Sequence, residues 1–139
     1  MPLRRIDALA RTLFGLVTLS LLCAAPAQAQ YNARAQANYK SEGLDLRLIW
    51  LDRQTASAAL SATLTQGACS ASIAGIGQMS KRRLVIEPYR KLPRGEDCRL
   101  TLDFDEAWNK VSSSTEGNCA PYGGAGCEFD GQSAARQRP

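Results

Sequence analysis

The side chains best equipped for chemistry in this chain are its thiols. Five cysteines occur. Cys23 lies within an N-terminal apolar stretch, and Cys69, Cys98, Cys119 and Cys127 follow it. Four cysteines in a short chain with an export signal read as two disulfides. A structural zinc site normally contains at least one close pair of ligands, whereas the spacings here are long and irregular and the chain has no histidine. Three pairings are open. Cys69–Cys98 with Cys119–Cys127 is favoured, because the first two fall on the apolar faces of predicted strands and the last two bracket a glycine-rich loop. Closing those loops is worth about 3.6 and about 2.6 kcal/mol in the chain-entropy treatment, large against a typical domain stability of about 5–15 kcal/mol.

The lack of histidine removes the commonest general base and the Ser-His-Asp and Cys-His arrangements. Oxidised cysteines are not nucleophiles. The remaining cluster is Asp103, Asp105 and Glu106. Paired carboxylates can hydrolyse glycosides when they flank a cleft, but a charge run of this kind usually marks a solvated face. The calcium-loop pattern is absent too. The expectation is a protein that is not an enzyme, with no catalytic residues, no cofactor and no metal.

What remains is recognition. Lys81, Arg82 and Arg83 precede one short predicted strand, and Arg90, Lys91 and Arg94 follow it. If both loops emerge at the same end, they form a positive patch that would steer an acidic partner; otherwise they are solubilising loops or a protected edge. Tyr122 sits in the loop Cys119-Ala-Pro-Tyr-Gly-Gly-Ala-Gly-Cys127, where a rigid aromatic suits protein binding at low entropic cost, unless it covers the end of the core. Tyr122, Arg82, Arg83, Arg90 and Arg94 are therefore the candidate partner-binding residues, the Tyr122 loop acting with either the Arg82-Arg83 or the Arg90-Arg94 loop. Nucleic acid is not expected, since no aromatic platform is interleaved with the basic residues.

These residues must be positioned by strands. Leu44, Leu46, Leu48 and Trp50 alternate with Asp45, Arg47 and Ile49; Ala58, Leu60, Ala62 and Leu64 alternate with Ser61 and Thr63. Cys69, Ala71 and Ile73 continue the pattern to Gly75 and Gly77, which read as a bulge or turn. Leu84 to Ile86 is a short β-branched run stopped by Pro88, and Cys98, Leu100, Leu102 and Phe104 alternate most cleanly. This two-residue period predicts an all-β fold: a small antiparallel sheet, sandwich or barrel stapled by two disulfides. Residues 103–111 fit either a capped helix or another strand, with strand preferred.

The chain divides into a signal peptide (1–29), a flexible lead-in (30–43), the β-domain (44–131) and a polar, disordered tail (132–139). Arg4, Arg5 and Arg11 supply a basic start, Leu13 to Ala25 an apolar run too short to span a bilayer, and Ala27-Gln28-Ala29 a cleavage site. Neither a twin-arginine address at Arg4-Arg5 nor lipidation of Cys23 fits its flanking residues. Processing would remove three Arg and one Asp, leaving 14 basic and 12 acidic residues and a net charge of +2 in place of +4. That is too balanced to argue for nucleic acid or an anionic membrane. A periplasmic or secreted location follows, with no membrane span after processing.

The layout Gly67-x-Cys69, Cys98-x-Leu100-x-Leu102-x-Phe104 and Cys119…Tyr122-Gly123…Cys127-x-Phe129-Asp130-Gly131 resembles cysteine-bearing C-terminal domains of small bacterial envelope proteins, including lysozyme-inhibitor-like families. The resemblance covers about residues 58–131. It implies an exported, non-catalytic binding module whose protein partner is a lysozyme or another peptidoglycan hydrolase. The alternatives are an immunity protein against a periplasm-targeted toxin and an envelope structural protein.

Overall fold

The computed structural model describes residues 36–124 and 126–138; the signal-peptide reading falls outside them. Eight strands form: β1 (Gln36–Lys40), β2 (Leu44–Asp52), β3 (Ser57–Gln66), β4 (Cys69–Ser80), β5 (Arg83–Pro88), β6 (Arg99–Phe104), β7 (Lys110–Glu116) and β8 (Ser133–Arg136). Each pairs antiparallel with its neighbours in sequence, and β8 pairs with both β7 and β1, closing a barrel. An eight-stranded barrel has an interior that side chains can just fill. Leu44, Leu46 and Leu48 of β2, Leu60 and Leu64 of β3, and Leu100 and Leu102 of β6 supply much of that filling. The inward and outward assignments made from alternation hold on β2, β3 and β6.

Several readings are corrected. The lead-in contains β1, paired with β2 from Gln36↔Ile49 to Lys40↔Asp45. The tail contains β8. Both strands are short and each buries one apolar side chain fully, Tyr39 and Ala134. Their cohesion comes from backbone pairing, which leaves little trace in composition. Residues 103–111 are neither one helix nor one strand: β6 ends at Phe104, Asp105–Asn109 turn, and β7 begins at Lys110. Gly75 and Gly77 do not end β4. A side chain on Gly75 would strike the Glu87 carbonyl of β5, and one on Gly77 the Val85 carbonyl. Their missing side chains let the β5 backbone come close to the inner side of β4, as glycines do where another backbone approaches.

The disulfides are Cys69–Cys127 and Cys98–Cys119, with Cα separations of 5.8 and 4.8 Å. This overturns the expected pairing, and the register explains why. Continuing the β5–β6 ladder two pairs past Ile86↔Leu100 sets Cys98 level with Pro88, and Pro88 pairs with Gly75, six residues along β4 from Cys69. Six residues span about 20 Å of strand, well outside disulfide reach. Two cysteines can share an interior face and still lie at different heights. Cys98 and Cys119, by contrast, sit just past the Arg99↔Glu116 pair that ends the β6–β7 hairpin.

The tips of the β2–β3, β4–β5 and β6–β7 hairpins gather at one pole, which aromatic rings close. Trp108 stacks on Phe104 at 4.8 Å, Phe104 lies 5.4 Å from Tyr39, and Trp50 lies 6.4 Å from Trp108. The Tyr39 hydroxyl donates to the Trp108 carbonyl at 3.2 Å. Burial pushes the Tyr39 phenol above its ordinary value near 10, with Arg136 pulling it back and Asp105 adding to the rise.

Two outcomes follow. Non-reducing peptide mapping should recover Cys69–Cys127 and Cys98–Cys119, and Cys98→Ala with Cys119→Ala should cost about 3 kcal/mol in urea unfolding, from the loop of 21 residues that the bridge closes. The unfolded Tyr39 phenol ionises near pH 10 while the folded one resists, so this contribution is intact below that pH and lost as pH rises towards the folded value. Thermal melts from about pH 8 to about pH 11 should fall less steeply for Tyr39→Phe than for the wild type.

Candidate functional site

In an up-and-down barrel, the loops before and after one strand lie at opposite poles. The pole away from the aromatic rings carries residues 41–43, 67–68, 89–98, and 117–124 with 126–132. The last of these loops is long, and both disulfides anchor it: Cys119 to Cys98 beside β6, and Cys127 to Cys69 at the start of β4. Phe129 and Cys127 are buried beneath it. The Ser113 hydroxyl donates to the Phe129 carbonyl, the Asp130 carboxylate accepts from the Thr115 N–H at 3.0 Å, and the Asp97 carboxylate accepts from the Asn118 N–H at 3.1 Å.

Tyr122 joins the two long loops. Its ring is 9% exposed. Its hydroxyl accepts the Leu92 N–H at 3.2 Å and reaches two carbonyls as a donor, Arg90 at 3.0 Å and Gly95 at 3.1 Å. Gly95 lies against the ring, where a Cβ would come within 2.9 Å of Tyr122 Cε2. Tyr122 is thus a buried pin rather than a presented aromatic. The exposed ring at this pole is Tyr89, 68% exposed, whose N–H bonds the Ala74 carbonyl at 3.0 Å. Arg90 and Arg94 are exposed on the pinned loop, and among the described residues neither makes an ion pair.

Arg82 and Arg83 lie at the other pole, so the two basic loops form no joint patch and only Arg90 and Arg94 share a pole with Tyr122. The six residues of β5 separate the two groups by about 20 Å. Both arginines are also engaged. Arg83 forks onto Asp103 at 2.7 and 3.1 Å, a bond and charge that raise its pKa, and Arg82 meets Glu106 at 3.3 Å. The carboxylate cluster is committed too, since Asp105 accepts the Asn109 N–H at 2.7 Å.

Sequence reasoning missed an apolar outer face. Ile49, Leu51, Ile76, Val85 and Tyr89 are the exposed large apolar side chains among the described residues, and all lie on or directly after β2, β4 and β5. Ile49, Ala59 and Ile76 are direct neighbours across three strands. Ala74 continues the track to Tyr89, where a groove of about 460 Å³ runs between Pro88, Leu92 and Pro121. The signal was Ile49, Leu51 and Ile76 at outward positions where alternation calls for polar residues. Scattered apolar surface residues are ordinary, whereas these lie on one side of the barrel.

No family model, curated protein or solved structure matches the chain.

Tyr122→Phe keeps the ring and strands three backbone partners. It should lower stability by about 1–3 kcal/mol, and amide exchange should accelerate in residues 89–98 while the strands stay protected.

Proposed function

We propose that this protein is a non-catalytic binding module of the cell envelope that inhibits a lysozyme or another peptidoglycan hydrolase. The observation that carries this reading is the loop from Tyr89 to Arg94. It is fixed in advance by the Tyr122 hydroxyl, presents one exposed tyrosine and two arginines without ion pairs among the described residues, and opens onto the apolar β2–β5 face. Tyrosine and arginine dominate interface energetics, and a loop ordered before binding loses little entropy. Glycoside hydrolases carry paired carboxylates in their clefts, the complement of a loop bearing Arg90 and Arg94. The two disulfides are compatible with an extracellular or periplasmic protein. Among the described residues no helix is long and apolar enough to cross a membrane.

The test is titration of the processed protein against a panel of lysozymes and other muramidases. Tyr89→Ala, or Arg90→Ala with Arg94→Ala, should weaken binding by about tenfold or more, the loss of about 1.4 kcal/mol. Arg82→Ala with Arg83→Ala should leave it within about twofold, and rising salt should slow association. A panel in which no enzyme binds removes the reading.

A further inference from the structure

We propose that the aromatic pole is a second binding site, for a saccharide that carries a carboxylate. The β4–β5 turn (Lys81, Arg82) and the β6–β7 turn (Asp105–Asn109) stand side by side there, joined by the Phe104 N–H on the Arg82 carbonyl at 2.8 Å. Between them lies a hollow of about 610 Å³ lined by Ser80, Lys81, Arg82, Arg83 and Trp108.

Trp108 has a backbone φ of 58°, in the left-handed region that bulky residues rarely adopt. Three contacts hold it there. Its N–H donates to the Asp105 carbonyl at 3.2 Å, its carbonyl accepts the Tyr39 hydroxyl, and its ring stacks on Phe104. The indole is half-buried, with Phe104 under one face, and its N–H has no acceptor among the described residues. Backbone strain that places an unpaired donor and a flat apolar ring at the rim of a hollow is where function concentrates.

The cations give the ligand its charge. Lys81 is also left-handed, at φ 57°, and makes no ion pair among the described residues. Arg82 meets Glu106 through one terminal nitrogen, which leaves donors of its planar fork for a carboxylate. A free anion would use the cations and ignore the ring. A neutral sugar would use the ring and ignore the cations. A ring-shaped molecule with an apolar face, hydroxyls and a carboxylate uses both. A nucleotide shares that outline, but two disulfides fit the space outside the cytoplasm, which favours the acidic sugar.

The chain has two tryptophans, so Trp50→Phe makes Trp108 the sole emitter. Its emission should shift saturably with trigalacturonate, with a disaccharide containing N-acetylmuramic acid, or with both; the second alone points to wall glycan, and the first to uronate polymers. Lys81→Gln with Arg82→Gln should weaken the response about tenfold or more with the melting temperature kept, and chitotriose should bind about tenfold more weakly than either acid. The site is overturned if neither acid shifts the emission up to about 10 mM, if chitotriose matches them, if inorganic phosphate gives the same midpoint, if adenosine monophosphate binds more tightly, or if the double variant binds undiminished. Hydrolase inhibition is measured separately at the other pole, so either reading can fail alone.

Discussion

The structure depends on closing the sheet with a strand of four residues. Until β8 lies between β7 and β1, the other seven strands form an open sheet with two exposed edges and an interior face in contact with water. β8 pairs with β7 over Ser133, Ala134 and Ala135, and with β1 over Ala135 and Arg136. So few pairs do not hold a strand in place by themselves, since isolated pairing in water is marginal. Delivery makes the difference. The loop ahead of β8 is fastened at Cys119, Tyr122, Cys127, Phe129 and Asp130 before it reaches Ser133. The chain entropy left for β8 to lose on docking is therefore small.

The same argument shows what could be read from the chain and what could not. Long strands bury several apolar side chains at every second position, so β2, β3 and β6 announce themselves. Strands β1 and β8 fully bury a single apolar side chain each, Tyr39 and Ala134, and lie among residues that read as linker and tail. Alternation also places Cys69 and Cys98 on interior faces without giving their heights. Height is a property of register, and register is set by turn lengths and a bulge at Leu51 that no side-chain pattern states. The split of the basic residues has the same origin. Residues eight or more apart in sequence are brought together or separated only by whether the strand between them crosses the barrel once.

Tyr122 illustrates a different limit. Its residue type and its place in a closed loop were legible, and both burial and display suit a tyrosine. The outcome was decided by residues 89–98, whose own carbonyls and N–H need a partner once that loop turns under the pole. A phenol reaches three of them at once, accepting the Leu92 N–H and sharing its single proton between the Arg90 and Gly95 carbonyls. The exposed ring is displaced to Tyr89, next to Arg90 at the start of the loop that the phenol holds, so the fold uses one tyrosine to make the other rigid.

The apolar outer face also follows from the closure. The sheet must curve to close, and Gly75 and Gly77 leave no Cβ between β4 and the Glu87 and Val85 carbonyls of β5. Inner atoms crowd at such a bend while outer ones fan apart. Ile76, between the two glycines, is thrown onto the convex surface and is 54% exposed. A polar residue there would serve the bend equally well, because the constraint acts on the inner face alone. Barrel geometry therefore accounts for the exposure of position 76 but not for its being isoleucine, nor for its apolar neighbours Ile49 and Tyr89. Solubility argues against all three. An apolar choice at outward positions that folding leaves free is what a contact surface would select, and this is the physical ground of the proposal that recognition lies on the β2–β5 side of the barrel.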